Sequence, residues 1–187
     1  MTEPDTIDLA LPPSLTPVGR DFVAYWHSLR AGQFLPDRED IDPGAIKHLL
    51  PFLVIHDLVA PDRIELRLVG TAVAEDYGTD ITGWNYLDMV ETGRRDKASE
   101  SFFMLHNHPV GMTVTLRATT RSGSSWLRQT VDLPISDIRH NRKLVISCSL
   151  RADQGRQAET VNASLQVQSV AHRELIDIGA GIPDIVN

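Results

Sequence analysis

Cysteine is nearly missing from these 187 residues: Cys148 stands alone. A single thiol excludes an intramolecular disulfide and suits a reducing cytoplasm. Long apolar runs are missing too. Nowhere do roughly eighteen apolar residues stand together, the length a membrane-spanning helix needs, so no membrane insertion is expected. The opening "MTEPDTIDLALPPSLTP" carries Glu3, Asp5 and Asp8 where a secretion signal would carry Lys or Arg, and no apolar core follows them. Positive charge is in deficit, with 18 basic against 25 acidic residues and a net charge of -7. That is the wrong sign for gripping a phosphate backbone, which sets nucleic acid aside as a partner. There is no phosphate loop, nucleophile elbow or kinase motif.

What is present divides into a leader, a body and a tail. Residues 1–17 hold four prolines and no period, and read as a mobile leader. Val18, Phe22, Trp26 and Leu29 then recur at helical spacing and form one face of an amphipathic helix ending near Gly32. That stripe suits packing on the domain's own core and is also the candidate homodimer interface. In "FLPDREDIDPGAIKHLLP", Asp42 is placed to cap a short helix that Pro51 ends. From Phe52 the period becomes two. Strands are expected near 52–59 and 63–70, the second with Ile64, Leu66 and Leu68 inward, joined by the turn "APDR". Next come short pieces broken at Gly70, Gly78 and Gly83, then a helix with Ala98, Phe102 and Leu105 on one face, stopped by Pro109. Three strands follow near 112–120, 126–135 and 143–150. Their apolar rows are Met112, Val114, Leu116 and Ala118; then Leu127, Gln129, Val131, Leu133 and Ile135; then Leu144, Ile146, Cys148 and Leu150. The tail, 152–187, is a C-terminal extension whose "ASLQVQSV" alternates weakly and suits a further strand or docking on a partner.

This order resembles the PAS superfamily of sensory domains. The stretch "EDYGTDITGWNYLDM" is similar to the PAS core pattern, with Gly78, Gly83 and Asn85 at its marked positions; each glycine allows the positive φ at which consecutive short helices fold back over a sheet. A second resemblance is to bacterial stand-alone PAS proteins of unknown function. It is carried by Trp26, Arg30, "LP" at 35–36, Arg38, "DIDP" at 40–43, "LLP" at 49–51 and "RLVGT" at 67–71. It covers about residues 18–151 and brings no catalytic residues with it. It implies an α+β fold, a five-stranded antiparallel sheet covered on one face by the short helices of 71–107, with the N-terminal amphipathic helix added, and a sensory or regulatory role. The expected partners are a small-molecule ligand and a signalling protein, since no output segment accompanies the domain.

The expected ligand space lies between the sheet's inner face and its covering helices. Gln129 is the one polar residue in its row, and a buried amide must be hydrogen-bonded, either by a ligand or by backbone. Tyr77, Trp84, Phe102, Phe103 and Leu116 are the other candidates to line that space, or else core. The cofactor is left unknown. Haem-binding PAS domains take an axial His from the middle of the long covering helix, whereas His106 and His108 stand at its end; the "HNH" spacing lacks further ligands for a metal. A covalent flavin switch needs a Cys among the short helices, and Cys148 is on the last strand. The expected role is non-catalytic. The alternatives are a dimeric interaction scaffold whose pocket is filled by side chains, or a small isomerase or dehydratase with a base drawn from His56, Asp57 and Asp132.

Overall fold

A computed structural model describes residues 11–120, 125–152 and 165–184 of the chain. Six antiparallel strands form one sheet in the order β2-β1-β5-β4-β3-β6, with β1 Leu53–Ala60, β2 Arg63–Val69, β3 Gly111–Thr120, β4 Ser125–Asp137, β5 Arg142–Arg151 and β6 Leu165–Ile176. The first five fall where the period-two pattern places them. The sixth comes from the tail, which pairs along β3 from Gly111 opposite Ile176 to Thr120 opposite Leu165. Residues 165–176 of the C-terminal extension are therefore part of the sheet, the further strand that the weak alternation suits.

The helices are α1 Pro17–Ser28, α2 Thr71–Tyr77 and α3 Arg95–Asn107, with 3-10 turns between and before them. Thr16 caps α1 by accepting the Gly19 N–H at 3.2 Å, and Pro17 fits the first helical position. Part of the expected mobile leader is built into the body: Leu15 is buried, and Ser14 and Thr16 bond to the sheet. Residues 1–10 of that leader lie outside the described residues. The segment after Asp42 makes turns instead of the expected short helix, although Asp42 does accept the Gly44 N–H at 2.8 Å.

Four residues fold 70–90 over the sheet. Gly70 passes so close to the Pro51 carbonyl that an added Cβ would lie 2.3 Å from its oxygen. Gly78 ends α2 in the left-handed region at φ 69°, and Gly83 turns the chain at φ 84°, both as the sequence predicts. Asn85 then staples the segment to the β1–β2 hairpin: its Oδ1 accepts the N–H of Ile64 at 3.0 Å, and its Nδ2 donates to the Asp62 carbonyl at 2.9 Å.

The expectation of one covered face is corrected. Segment 71–107 covers one face of the sheet, and α1 covers the other. Phe22 and Trp26, 0% and 1% exposed, pack with Val131, Leu133, Ile135 and Ile146. Trp26 also donates its indole N–H to the Pro134 carbonyl at 3.0 Å. Of the stripe, Phe22 and Trp26 are thus buried within the chain and Val18 packs against the same core, while Leu29 is half-buried. Burying two such side chains contributes roughly 1.5–3 kcal/mol each, which explains why the helix prefers its own sheet.

Contacts of Arg30 and Pro36 hold the end of α1 down. Arg30 donates to the Ile178 carbonyl at 2.8 Å and to Gln33 O at 3.1 Å, with its guanidinium over the rings of Trp26 and Phe34. Pro36 O accepts the Ser136 N–H at 3.0 Å, so the linker is hydrogen-bonded to the end of β4.

Candidate functional site

A cavity of about 90 Å³ lies between the sheet and the α2–α3 segment. On the measure in which one water needs about 10–15 Å³, it has room for several waters or a small organic molecule. Its floor follows from strand alternation. In β4 the side chains of Arg128, Thr130 and Asp132 point into it while Val131, Leu133 and Ile135 point to α1; in β5 the split is Ser147 and Ser149 against Ile146, Cys148 and Leu150. From β3 come Met112, Val114 and Leu116, from β1 Val54 and His56, and from β6 Val170 and Arg173. The roof is Tyr77 of α2, Tyr86 and Met89 of the following turn, and Phe102 of α3, with Arg94 and Lys97 at its exposed side.

The polar floor is organised in two groups. In the first, Ser147 donates to Asp132 Oδ1 at 2.6 Å and lies 3.3 Å from His56 Nδ1. All three are buried. Burial pushes the Asp132 carboxyl up to about 7, opposed by the Ser147 hydrogen bond and by the charge of Arg173; burial likewise lowers His56 to about 4. Both groups are therefore neutral between those two values. Above them His56, Tyr86 and Phe102 form an aromatic cluster with ring centroids 4.8–5.4 Å apart. In the second group, Arg128 is 2% exposed and donates to Ser149 Oγ at 3.0 Å, and Thr130 shares a hydrogen bond with Ser149 at 3.0 Å. Arg128 also pairs with Asp76 of α2, which Arg151 meets from the other side at 2.7 Å. Two arginines thus share one carboxylate, and this pairing ties α2 to the sheet.

Of the sequence-predicted site residues, Tyr77, Phe102 and Leu116 line the cavity. Phe103 packs beside the cluster behind Phe102 without lining the cavity. Trp84 is 50% exposed, turned outward at the Gly83 reversal. Gln129 is on the wrong face for a ligand of this cavity. Its Oε1 accepts the Thr16 N–H at 2.9 Å and its Nε2 donates to the Ser14 carbonyl at 2.8 Å, so the amide satisfies the backbone leading into α1. The difference is one of phase: the apolar rows of β3 and β4 do not share a face, because Val114 stands opposite Thr130, not opposite Gln129 or Val131. Leu68 is displaced similarly. A bulge opposite Ile55 and His56 inserts Arg67, which leaves Leu66 on the cavity side and Leu68 42% exposed.

Sequence reasoning missed Arg128, Thr130, Ser147, Ser149 and Arg173. A signal for the first four was present: regularly alternating polar residues on two strands too apolar on their other face to be sheet edges. Asp132, out of phase with the apolar row of β4, is in phase with the cavity. Asp57 lies outside it, between Arg142 at 3.1 Å and Arg67 at 3.6 Å. His106 bonds the carbonyls of Ile135 and Leu144, and His108 that of Gly181. Cys148 is buried under α1, its thiol pushed up to about 12. Among the described residues no group of three or more His, Cys, Asp or Glu is arranged to hold a metal.

The chain matches the PAS domain family over residues 15–148, and it belongs to that family. A sensory, signal-transducing class of module is thereby defined. Solved structures with a similar fold include the light-oxygen-voltage protein of Rhodobacter sphaeroides, at 12% identity and TM-score 0.43 over 62% of this chain and 70% of that one. A fungal light-oxygen-voltage photoreceptor domain matches at 15% and 0.45 over 73% of this chain and 94% of its own. A light-oxygen-voltage domain studied with a flavin analogue matches at 14% and 0.44, over 59% and 84%. At such distances no residue role passes from them to this chain. No curated protein shows significant sequence similarity to it.

Proposed function

We propose that this chain is a sensory PAS module that binds a small molecule in the cavity between its sheet and the α2–α3 segment and passes the occupied state to a protein partner without chemistry. The observation that carries this reading is the cavity itself: an internal space walled by apolar side chains, with a small set of buried polar groups converging on its floor, which is the usual make-up of a ligand site. A non-catalytic role is supported by the order of the Ser147 group. In a nucleophilic triad the histidine stands between serine and carboxylate, whereas here Ser147 stands between His56 and Asp132 and donates its hydrogen bond to the carboxylate.

An output route is supported by β6. It carries Arg173 to the cavity and Ile176 to the core under α1, so a ligand that shifts this strand also moves the seat of α1. A cytoplasmic setting fits the lone buried thiol and the lack, among the described residues, of a helix long and apolar enough to cross a membrane. Native mass spectrometry of the purified chain, followed by denaturing extraction, tests the ligand reading. The expected result is a mass excess that disappears on unfolding and is absent from a Val114→Phe variant whose ring occupies the cavity. An unliganded chain, with no compound of a broad metabolite screen raising the melting temperature of wild type above that of Val114→Phe, would instead make this an interaction scaffold.

A further inference from the structure

We infer that the ligand of this cavity is a small organic monocarboxylate whose charged end is held by Arg173 beside Arg128 and whose apolar body lies against Phe102, Met89 and Leu116; this rests on the ligand-cavity reading above. The cavity is cationic in a chain that is acidic overall. Arg94, Lys97, Arg128 and Arg173 reach it, and among the described residues the one carboxylate on its walls is Asp132. Two of these cations have unmet capacity. The Nε of Arg128 and the Nε of Arg173 are both buried with no hydrogen-bond partner. A buried guanidinium N–H left unpaired costs free energy that a ligand oxygen recovers. Arg128 is otherwise engaged with Ser149 and Asp76, but the side chain of Arg173 makes no ion pair or hydrogen bond among the described residues and acts on Asp132 and Tyr86 through its charge. Arg173 is thus the anchor with a free fork, and a carboxylate is the planar anion that a guanidinium fork matches in two bonds.

The rest of the wall decides between organic and inorganic anions. Val54, Leu66, Met112 and Val114 surround the polar floor with apolar surface, which a bare phosphate would leave unmatched. The volume of about 90 Å³ sets the body at the scale of a single ring or a short chain. Asp132, pushed up to about 7 by burial, carries a proton below that value and then adds one donor to the polar floor.

Calorimetry and thermal unfolding of the full chain with benzoate and hexanoate, beside benzamide and hexanamide as neutral isosteres, test the assignment. Both carboxylates are expected to bind and to raise the melting temperature, with the amides at least about tenfold weaker, the scale of a lost charge-assisted hydrogen bond. Arg173→Met is expected to keep or raise the melting temperature of the unliganded protein while losing at least about tenfold in carboxylate affinity, with Arg173→Lys between the two. Amides binding as well as acids, or carboxylate affinity unmoved in Arg173→Met, would overturn the inference; so would inorganic phosphate binding as tightly as benzoate. If neither carboxylate binds at millimolar concentration the inference fails. The ligand-cavity reading survives that failure if the amides bind wild type but not Val114→Phe, and falls with it if the extraction experiment also finds no ligand.

Discussion

The two faces of this one sheet differ as much as two separate proteins do. Toward α1, the side chains of Val131, Leu133, Ile135, Ile146 and Cys148 form a closed apolar layer, and the polar atoms there, the Gln129 amide and the Trp26 indole, are bonded to backbone. Toward α2 and α3, the alternate residues of the same strands are Arg128, Thr130, Asp132, Ser147 and Ser149, bonded mainly to one another around a cavity. Stability and binding are thus allocated to opposite faces. The well-packed face stabilises the fold, and that surplus lets the other face keep space and unpaired donors, which destabilise it but give a ligand something to bind.

Substitutions on the two faces should therefore behave differently, and the largest effect belongs to the α1 face. Trp26→Ala removes a side chain 1% exposed and strands the Pro134 carbonyl, and is expected to lower stability by about 3–5 kcal/mol in urea unfolding. If it instead shifts sedimentation from dimer to monomer with stability intact, the stripe is an interface and the comparison collapses.

Second comes the pH dependence of the cavity face. Asp132, raised from 3.8 to about 7, binds its proton more tightly folded than unfolded, so its contribution is fully present below about 4 and is lost as pH rises toward 7. His56, lowered from 6.5 to about 4, has the opposite sense: its contribution is present above 6.5 and is lost as pH falls toward 4. Between those values the two slopes cancel, so wild-type stability should be nearly flat with respect to this pair. Asp132→Asn should uncover stability that rises with pH in this window, and His56→Gln stability that falls, each by up to about 1.4 kcal/mol per pH unit. Urea unfolding across the window reads both slopes; equal slopes in the two variants would mean that these groups are not neutral in the folded cavity.

Much of this architecture is legible in the chain itself. The period of two marks five strands nearly to their ends, and Gly78 and Gly83 mark the reversals because only positive φ turns the chain there. Sidedness is not legible. Alternation says that Gln129 and Val131 share a face, but which face β3 and β4 share depends on register, and register is set by pairing across a turn, not within a strand. The cavity residues were obscured for the same reason. A polar row reads as solvent-facing until something covers it, and here α2 and α3 do so, while β6 extends the floor with Val170 and Arg173.

Gln129→Leu gives the third and smaller effect. It leaves the Ser14 carbonyl and Thr16 N–H unpaired at the entrance to α1, and is expected to cost about 1–3 kcal/mol without altering the affinity of any cavity ligand. Weaker binding at unchanged stability would put the amide back among the ligand contacts.

The smallest effect is expected at Trp84, one of the aromatics that the sequence offers as pocket lining or core, which the structure turns outward. The chain reverses at Gly83, whose N–H donates to Leu66 O at 2.7 Å, and the Trp84 carbonyl accepts the Leu66 N–H at 3.0 Å. Those backbone bonds pin the residue beside β2 whatever its side chain does, and the indole is left 50% exposed. Trp84→Ala should therefore stay within about 0.5 kcal/mol of wild type and bind cavity ligands equally well, as an exposed side chain away from caps and packing does. A loss of ligand affinity in this variant, measured by the same calorimetry, would show that the indole swings over the cavity when it is occupied, and Trp84 would then belong with Phe102 and Tyr77. Unchanged ligand affinity with loss of a signalling partner would place it instead on the output surface, beside the cavity but facing away from it.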